Sequence, residues 1–333
     1  MGRADPRLIR IWMLSLVPEG RYGRWVSGAL ILVGGFLFFS VALYLRLRQL
    51  ESGSWYFSAW SVAAFFVCSV AYIVPVFHYI TDRTQQTLDS LRRFASGPAP
   101  SLETDVHDRP LNWTVRTLTV GIGLWLVQSW FLAGGLNGML YELTANPIRF
   151  ALAVGPLPVW VTMCVAMSAL FRNAVLFRSV SRELDIRILE PDSYMPIGTM
   201  AVTSTLVVLG ALGLLSIMWL GGPVDWWTTL PALAFFSPLV IFLLLVPVLP
   251  VHRQLKQQRA QAVADAQEAL RQAQQGSVEA RAAALSLRRE VSRLPTWPFD
   301  VPAITRFVSY AIIVPLTWAG AALIEILVNA VVS

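Results

Sequence analysis

The last apolar segment, PLTWAGAALIEILVNAVVS (Pro315–Ser333), carries one carboxylate, Glu325, with the amide of Asn329 one turn further on. Trp318, Ala322, Glu325 and Asn329 follow i, i+4, i+7 and i+11, so on a helix they form one stripe. An indole, a small residue, an acid and an amide in one line are costly against lipid and belong against protein or water. Gathered around an axis, such carboxylates form a ring that favours cations over anions. Depth limits what Glu325 can do. Counted from Phe307, it lies about 27 Å along a helix rising about 1.5 Å per residue, in a hydrocarbon core about 30 Å thick. That puts it at the outer boundary, as a carboxylate at an aqueous mouth or as an acid hydrated at the interface.

A second group precedes this segment. In WPFD, Trp297 can anchor at the headgroups, Pro298 helps to stop the preceding helix, and Asp300 can cap a helix starting near Val301. Arg306 can pair with Asp300 or reach a phosphate. Pro315 can kink the span, and Gly320 with Ala321 allows close helix approach. Trp297, Pro298, Asp300, Arg306 and Pro315 are thus either a coupling elbow or a membrane anchor with a helix start.

Catalytic chemistry finds little support. The chain has no G-x-x-x-x-G-K-[ST], H-E-x-x-H or C-x-x-C pattern, and an enzyme is not expected. The three histidines, His78, His107 and His252, are far apart, so neither a metal nor another cofactor is expected. His78 reads as an interfacial side chain near the inner face. Cys68 and Cys164 lie in apolar runs, as free thiols rather than a disulfide.

The elements that must position these residues are membrane helices. Of 333 residues, 56% are apolar and 14% charged, well short of the roughly 25% charge of a soluble domain, and the mean hydropathy is +0.58. The net charge of +6 would point to nucleic acid in a soluble protein. Here basic loops are what membrane insertion demands, so membrane lipids are expected as partners and nucleic acid is not.

Seven spans are expected, near Trp25–Leu45, Trp55–Tyr79, Thr117–Leu136, Ile148–Leu170, Pro196–Leu220, Thr228–Leu249 and Ile304–Val331. Trp25, Trp55, Trp113, Trp219, Trp226, Trp227 and Trp297 mark their boundaries. Of 26 Lys and Arg, only Arg46, Arg48 and Arg149 fall on the outer side if the amino end is inside. That bias puts the amino end in the cytoplasm and the carboxyl end outside, in the plasma (inner) membrane.

The fold expected is therefore all-α and polytopic: a cytoplasmic or interfacial stretch over 1–24, six spans over 25–250, a cytoplasmic helical hairpin over 251–300 and a final span over 301–333. The stretch Leu8–Leu16 is either a short amphipathic helix in the inner interface or a frayed tail. Three cytoplasmic pieces, Thr81–Asn112, Phe171–Tyr194 and Val251–Asp300, hold the soluble mass. In the third, RQLKQQRAQAVADAQEALRQAQQ continues the sixth span as a helix, Gly276–Ser277 turns it, and a second helix follows over about Val278–Arg293. This hairpin either packs on copies of itself, in the manner of a coiled coil, or stands solvated.

Seven spans, an inside amino end, a short helix before the first span and a last span fed by cytoplasmic helices resemble the insect odorant and gustatory receptor superfamily and its gustatory-receptor-like relatives. That resemblance, carried by architecture along the whole chain, implies a tetrameric ligand-gated cation channel whose last helix lines the pore and whose cytoplasmic helices form a shared anchor. LPTWPFD, followed by PLTW and AALIE, is also similar to segments of uncharacterised prokaryotic integral membrane proteins. The function expected is a homo-oligomeric, gated ion channel or channel-like receptor. A small-molecule transporter and a non-conducting scaffold or sensor acting through the cytoplasmic helices are the alternatives.

Overall fold

Long apolar helices account for most of the computed structural model, which describes residues 8–18, 20, 22–47, 54–133, 137–138, 141, 147–221, 226–273, 278–293, 296–299 and 301–332. The helices are α1 (Trp12–Ser15), α2 (Gly23–Leu47), α3 (Ser54–Leu91), α4 (Leu111–Ala133), α5 (Pro147–Val154), α6 (Pro156–Glu183), α7 (Met195–Leu214), α8 (Trp226–Ala273), α9 (Val278–Arg293) and α10 (Val301–Val332). Two three-residue strands, β1 (Leu8–Arg10) and β2 (Asp108–Pro110), pair antiparallel. The protein is an all-α polytopic membrane protein but for this ribbon.

Among the described residues, six segments are long and apolar enough to cross a bilayer: Gly23–Tyr44, Trp60–Phe94, Phe150–Glu183, Met195–Met218, Ser237–Gln272 and Pro302–Gly320. They answer to six of the seven expected spans. The third expected span corresponds to α4, whose 23 residues include Arg116 and Gln128. α4 is held to α6 by two side-chain bonds and to α5 by a third. Trp113 Nε1 donates to Ser168 Oγ at 2.8 Å, Trp125 Nε1 donates to Ala153 O at 2.7 Å, and Trp160 Nε1 donates to Gln128 Oε1.

Several helices outrun the expected spans. α3 continues to Leu91, and α6 continues to Glu183, so most of the Phe171–Tyr194 piece is helix rather than loop. Helix propensity continues where hydropathy stops, because Arg, Gln and Leu are good helix formers in water too. α8 runs unbroken over 48 residues, about 72 Å at helical rise, with α9 folded back along it as the expected hairpin.

The cytoplasmic pieces expected from the sequence pack as one body. Leu88, Leu91, Leu102, Val106, Val180, Ile186, Tyr194, Val251 and Leu255 share a core. Gln254 Nε2 donates to Ser181 O at 3.1 Å, and Ile188 N donates to Gln258 Oε1 at 3.0 Å, which ties the base of α8 to the loop after α6.

The start of the described chain departs from both expectations for it. Residues 8–10 form a strand, Ile11 N donates to His107 O at 3.1 Å, and only the single turn Trp12–Ser15 is helical. Ile11, Met13, Leu14 and Val17 are buried against Val74 and Phe77 of α3 and Val165 and Ala169 of α6. The stretch is a plug between helices, not an amphipathic helix lying on a membrane surface. Its apolar residues find more area to bury between two helices than one lipid-facing stripe offers.

Candidate functional site

α3 touches both α6 and α7, and α8 touches both as well, but α6 and α7 barely meet each other. The space left between them is a cleft of about 570 Å³, walled by α3, α4, α6 and α7. That is within the range of small-molecule sites, which run from about 300 to 1,000 Å³. Its walls are apolar, with Phe65 and Phe66 from α3, Leu124 from α4, Met163 and Met167 from α6, and Val207 and Ala211 from α7. Thioether and aromatic walls adapt to irregular apolar shapes. Ile80, Leu170, Ala174, Val208 and Leu243 close one end against α8. Behind Phe77 and Ala169, two more lining residues, sits the plug of Met13 and Leu14.

Four polar side chains reach this lining: Ser69, Tyr72, Gln128 and Asn173. The Tyr72 hydroxyl donates to Val207 O at 3.1 Å. It fits there because residue 210 is glycine, and a Cβ at Gly210 would overlap the phenol oxygen. Gln128 Oε1 accepts from Trp160 at the other side of the cleft. Asn173, 4% exposed, donates from Nδ2 to Thr84 Oγ1 at 3.2 Å, while Thr84 Oγ1 donates to Ile80 O at 2.8 Å. A hydroxyl has one hydrogen, and Thr84 gives it to Ile80, so the Asn173 amide must present nitrogen to Thr84. Asn173 Oδ1 is left buried without a donor among the described residues. Trp160 and Asn173 stand about 20 Å apart along α6, so the apolar cleft has a polar group toward each end.

A charged cluster holds the ribbon end of the molecule. Asp82 of α3 has His107 Nε2 at 3.2 Å from Oδ1, and on Oδ2 it has Arg24 at 3.7 Å and His78 Nδ1 at 3.0 Å. The His78 contact is close but off hydrogen-bond alignment. The expected interfacial histidine is thus the partner of an acid one helical turn away. His107 Nδ1 also lies 3.1 Å from Asp105, whose carboxylate accepts the His107 main-chain N–H at 2.8 Å. Burial would raise the Asp105 carboxyl, but the His107 main chain and ring outweigh it and hold the group below its usual value. Arg109, 4% exposed, is pushed down to about 10, first by burial and then by the charge of Arg172. No group of three or more His, Cys, Asp or Glu among the described residues could hold a metal ion.

The sequence-derived candidates divide into two sets. Trp318 turns toward α7, where its Nε1 donates to Leu212 O at 3.3 Å. The side chains of Ala322, Glu325 and Asn329 lie outside the described residues, although the backbone of α10 is helical to Val332. In the elbow, Trp297 stacks on His252 with centroids 4.1 Å apart, and buried Pro298 sets its carbonyl against Gly198 of α7, where a Cβ would overlap it. Asp300 lies outside the described residues; Arg306 and Pro315 are exposed, and α10 runs through Pro315. The close approach expected at Gly320 is not made within the described chain, since open space surrounds its Cβ position.

Sequence reasoning missed Asn173 and Tyr72. Asn173 lies beyond the expected end of the fourth span at Leu170, in the piece Phe171–Tyr194, yet Ala166, Ala169 and Asn173 keep one helical face going past that limit. Tyr72 carried no signal apart from Gly210, 138 residues away in the chain. Compared with protein-family models, curated proteins and solved structures, the chain matches none of them, and the chemistry of the site has to be read from its own side chains.

Proposed function

We propose that the protein is a channel-like membrane receptor in which a small, largely apolar molecule occupies the cleft between α3, α4, α6 and α7. A homo-oligomer, with a tetramer favoured, would then conduct cations along α10. The cleft is the observation that carries this reading: a largely apolar space of ligand size with few polar groups.

α7 supplies the coupling. It accepts the Tyr72 hydroxyl at Val207 on the cleft side and the Trp318 indole at Leu212 on the α10 side. A ligand that displaces Tyr72 shifts a helix on which α10 already leans. Along α10, the large apolar side chains of Ile304, Val308, Ile312, Leu316, Leu323 and Leu327 are exposed in the single chain. Lipid or another subunit must cover them.

The reading includes α4 as a seventh span, supported by its side-chain bonds to α6 and α5 at three heights. It also includes an inside amino end and residence in the plasma (inner) membrane, supported by the distribution of Lys and Arg. A transporter is the second reading, favoured by the length of the cleft, which follows α6 from Pro156 to Asn173, about 25 Å at helical rise.

Two measurements on detergent-purified protein test the proposal. Naphthalene, an apolar probe of suitable size, should raise Tm for the wild type and not for Ala211→Trp, which fills the cleft. Equal shifts would remove the cleft as a ligand site. Particle mass should give an oligomer, and a monomer would sink the channel. Counterflow across vesicles by a monomer would favour the transporter.

A further inference from the structure

Where α8 leaves the apolar layer, a second hollow of about 380 Å³ opens between α8 and the segment that leads into α10. His252, Lys256, Arg259 and Val263 line it at i, i+4, i+7 and i+11, one face of α8, and Thr296 closes the far side. Each basic side chain has a defined situation. The carbonyl of Thr296 can only accept, so His252 donates to it from Nδ1 at 2.8 Å, and Nε2 is the ring nitrogen left over. The ring is clamped by its stack on Trp297, which in turn lies parallel to Phe299 with centroids 6.0 Å apart. Arg259 donates to Ser292 O with one nitrogen of its fork, which leaves other N–H groups over. Lys256 is exposed. No carboxylate is among the described lining residues.

A hollow whose described lining is basic and holds no acid, beside half-exposed Trp297, has the make-up of a site for an anion at headgroup depth, where indoles collect. We propose that this hollow binds a phosphate group, held by Lys256 and the remaining N–H groups of Arg259, and joined by His252 Nε2 when the ring is the doubly protonated imidazolium. The phosphate can belong to an anionic phospholipid in the adjoining leaflet or to a soluble phosphate. In either case the ligand links α8 to the approach to α10, beside the bond from Arg259 to Ser292 near the end of α9. The cleft between α3, α4, α6 and α7 has no part in this site, and its assignment can fail without affecting it.

The test is a titration of detergent-purified full-length protein, read by Tm, with phosphatidylglycerol, phosphatidylcholine and sodium phosphate as separate arms at constant ionic strength. Phosphatidylglycerol should raise Tm and phosphatidylcholine should not. Lys256→Gln should raise the half-saturating concentration about fivefold, and Lys256→Gln with Arg259→Gln about 25-fold, from the usual contribution of one surface cation near anionic lipid. Arg253→Gln, which removes an exposed charge from outside the hollow, should change nothing. Arg259 also holds Ser292, so the Lys256 variant alone keeps the result readable if the double variant unfolds. A shift given by sodium phosphate alone, and weakened by Lys256→Gln, supports the site and assigns it to soluble phosphate. An equal response to phosphatidylglycerol in the wild type and Lys256→Gln would overturn the proposal, as would a phosphatidylcholine shift of the same size.

Discussion

Tyr72 and Gly210 form a pair in which one residue makes room for the other. Gly210→Val would drive the phenol from Val207 O and overpack the α3–α7 contact, a change that costs about 1–3 kcal/mol. Tyr72→Phe should cost about 1 kcal/mol, the net worth of one hydrogen bond. In the double variant the penalties should sum to less than the two singles, because the phenylalanine lacks the oxygen that clashes. Strict additivity in thermal unfolding would mean that the two do not touch. A pH dependence belongs at the same scale. Asp105 faces His107 and Arg109, and His107 in turn faces Asp82, with Arg24 and His78 beyond. A carboxylate held below its unfolded value stabilises the fold above that value and stops doing so as the pH falls through the folded one. Asp105→Asn should therefore lower Tm at pH 7, by a deficit that shrinks once the pH falls below the ordinary aspartate range. A deficit that stays constant as the pH falls through that range and to acid unfolding would assign Asp105 a role other than charge.

Among the elements, the plug of residues 8–17 gives the sharpest test. Met13 and Leu14 are 0% and 1% exposed, while Leu16 is 48% exposed. A plug between α3 and α6 makes Met13→Ala and Leu14→Ala core truncations, each costing about 2–5 kcal/mol, with Leu16→Ala near zero. An amphipathic helix on a lipid surface would give small and similar effects at all three positions in denaturant titrations of the detergent-purified protein. Because Phe77 and Ala169 touch both the plug and the cleft wall, the two truncations should also weaken naphthalene binding.

For the whole molecule the predictions concern orientation and flux. With the amino end inside and α4 crossing, alkaline phosphatase fused after Ser333 should be active and a fusion after Gln275 inactive; the reverse pattern would invert the topology. If the Trp318–Ala322–Glu325–Asn329 stripe lines a path in the oligomer, Glu325→Gln should lower cation flux in proteoliposomes, most at low salt. The Debye length falls from about 30 Å at 0.01 M to about 10 Å at 0.1 M, so a carboxylate ring attracts cations over a shorter range as salt rises. Equal flux at every salt concentration would make Glu325 a hydrated interfacial acid.

Membrane residence, helix content and the α8–α9 hairpin were legible in the amino-acid order because each depends on local quantities: the length of an apolar run, a Gly–Ser pair between two helix-forming runs and the propensity of Ala, Gln and Arg. The stacking partner of Trp297, the burial of Met13 and Leu14, and the cleft itself were not legible. Each depends on which faces of distant helices meet, and α7 is apolar all round, so no periodicity marks the face that receives Tyr72 or the one that receives Trp318. Asn173 shows the same limit within one helix. Its type reads as a loop residue, and only the packing of α3 on α6 turns it inward, because Thr84 supplies the acceptor that makes a buried amide tolerable there.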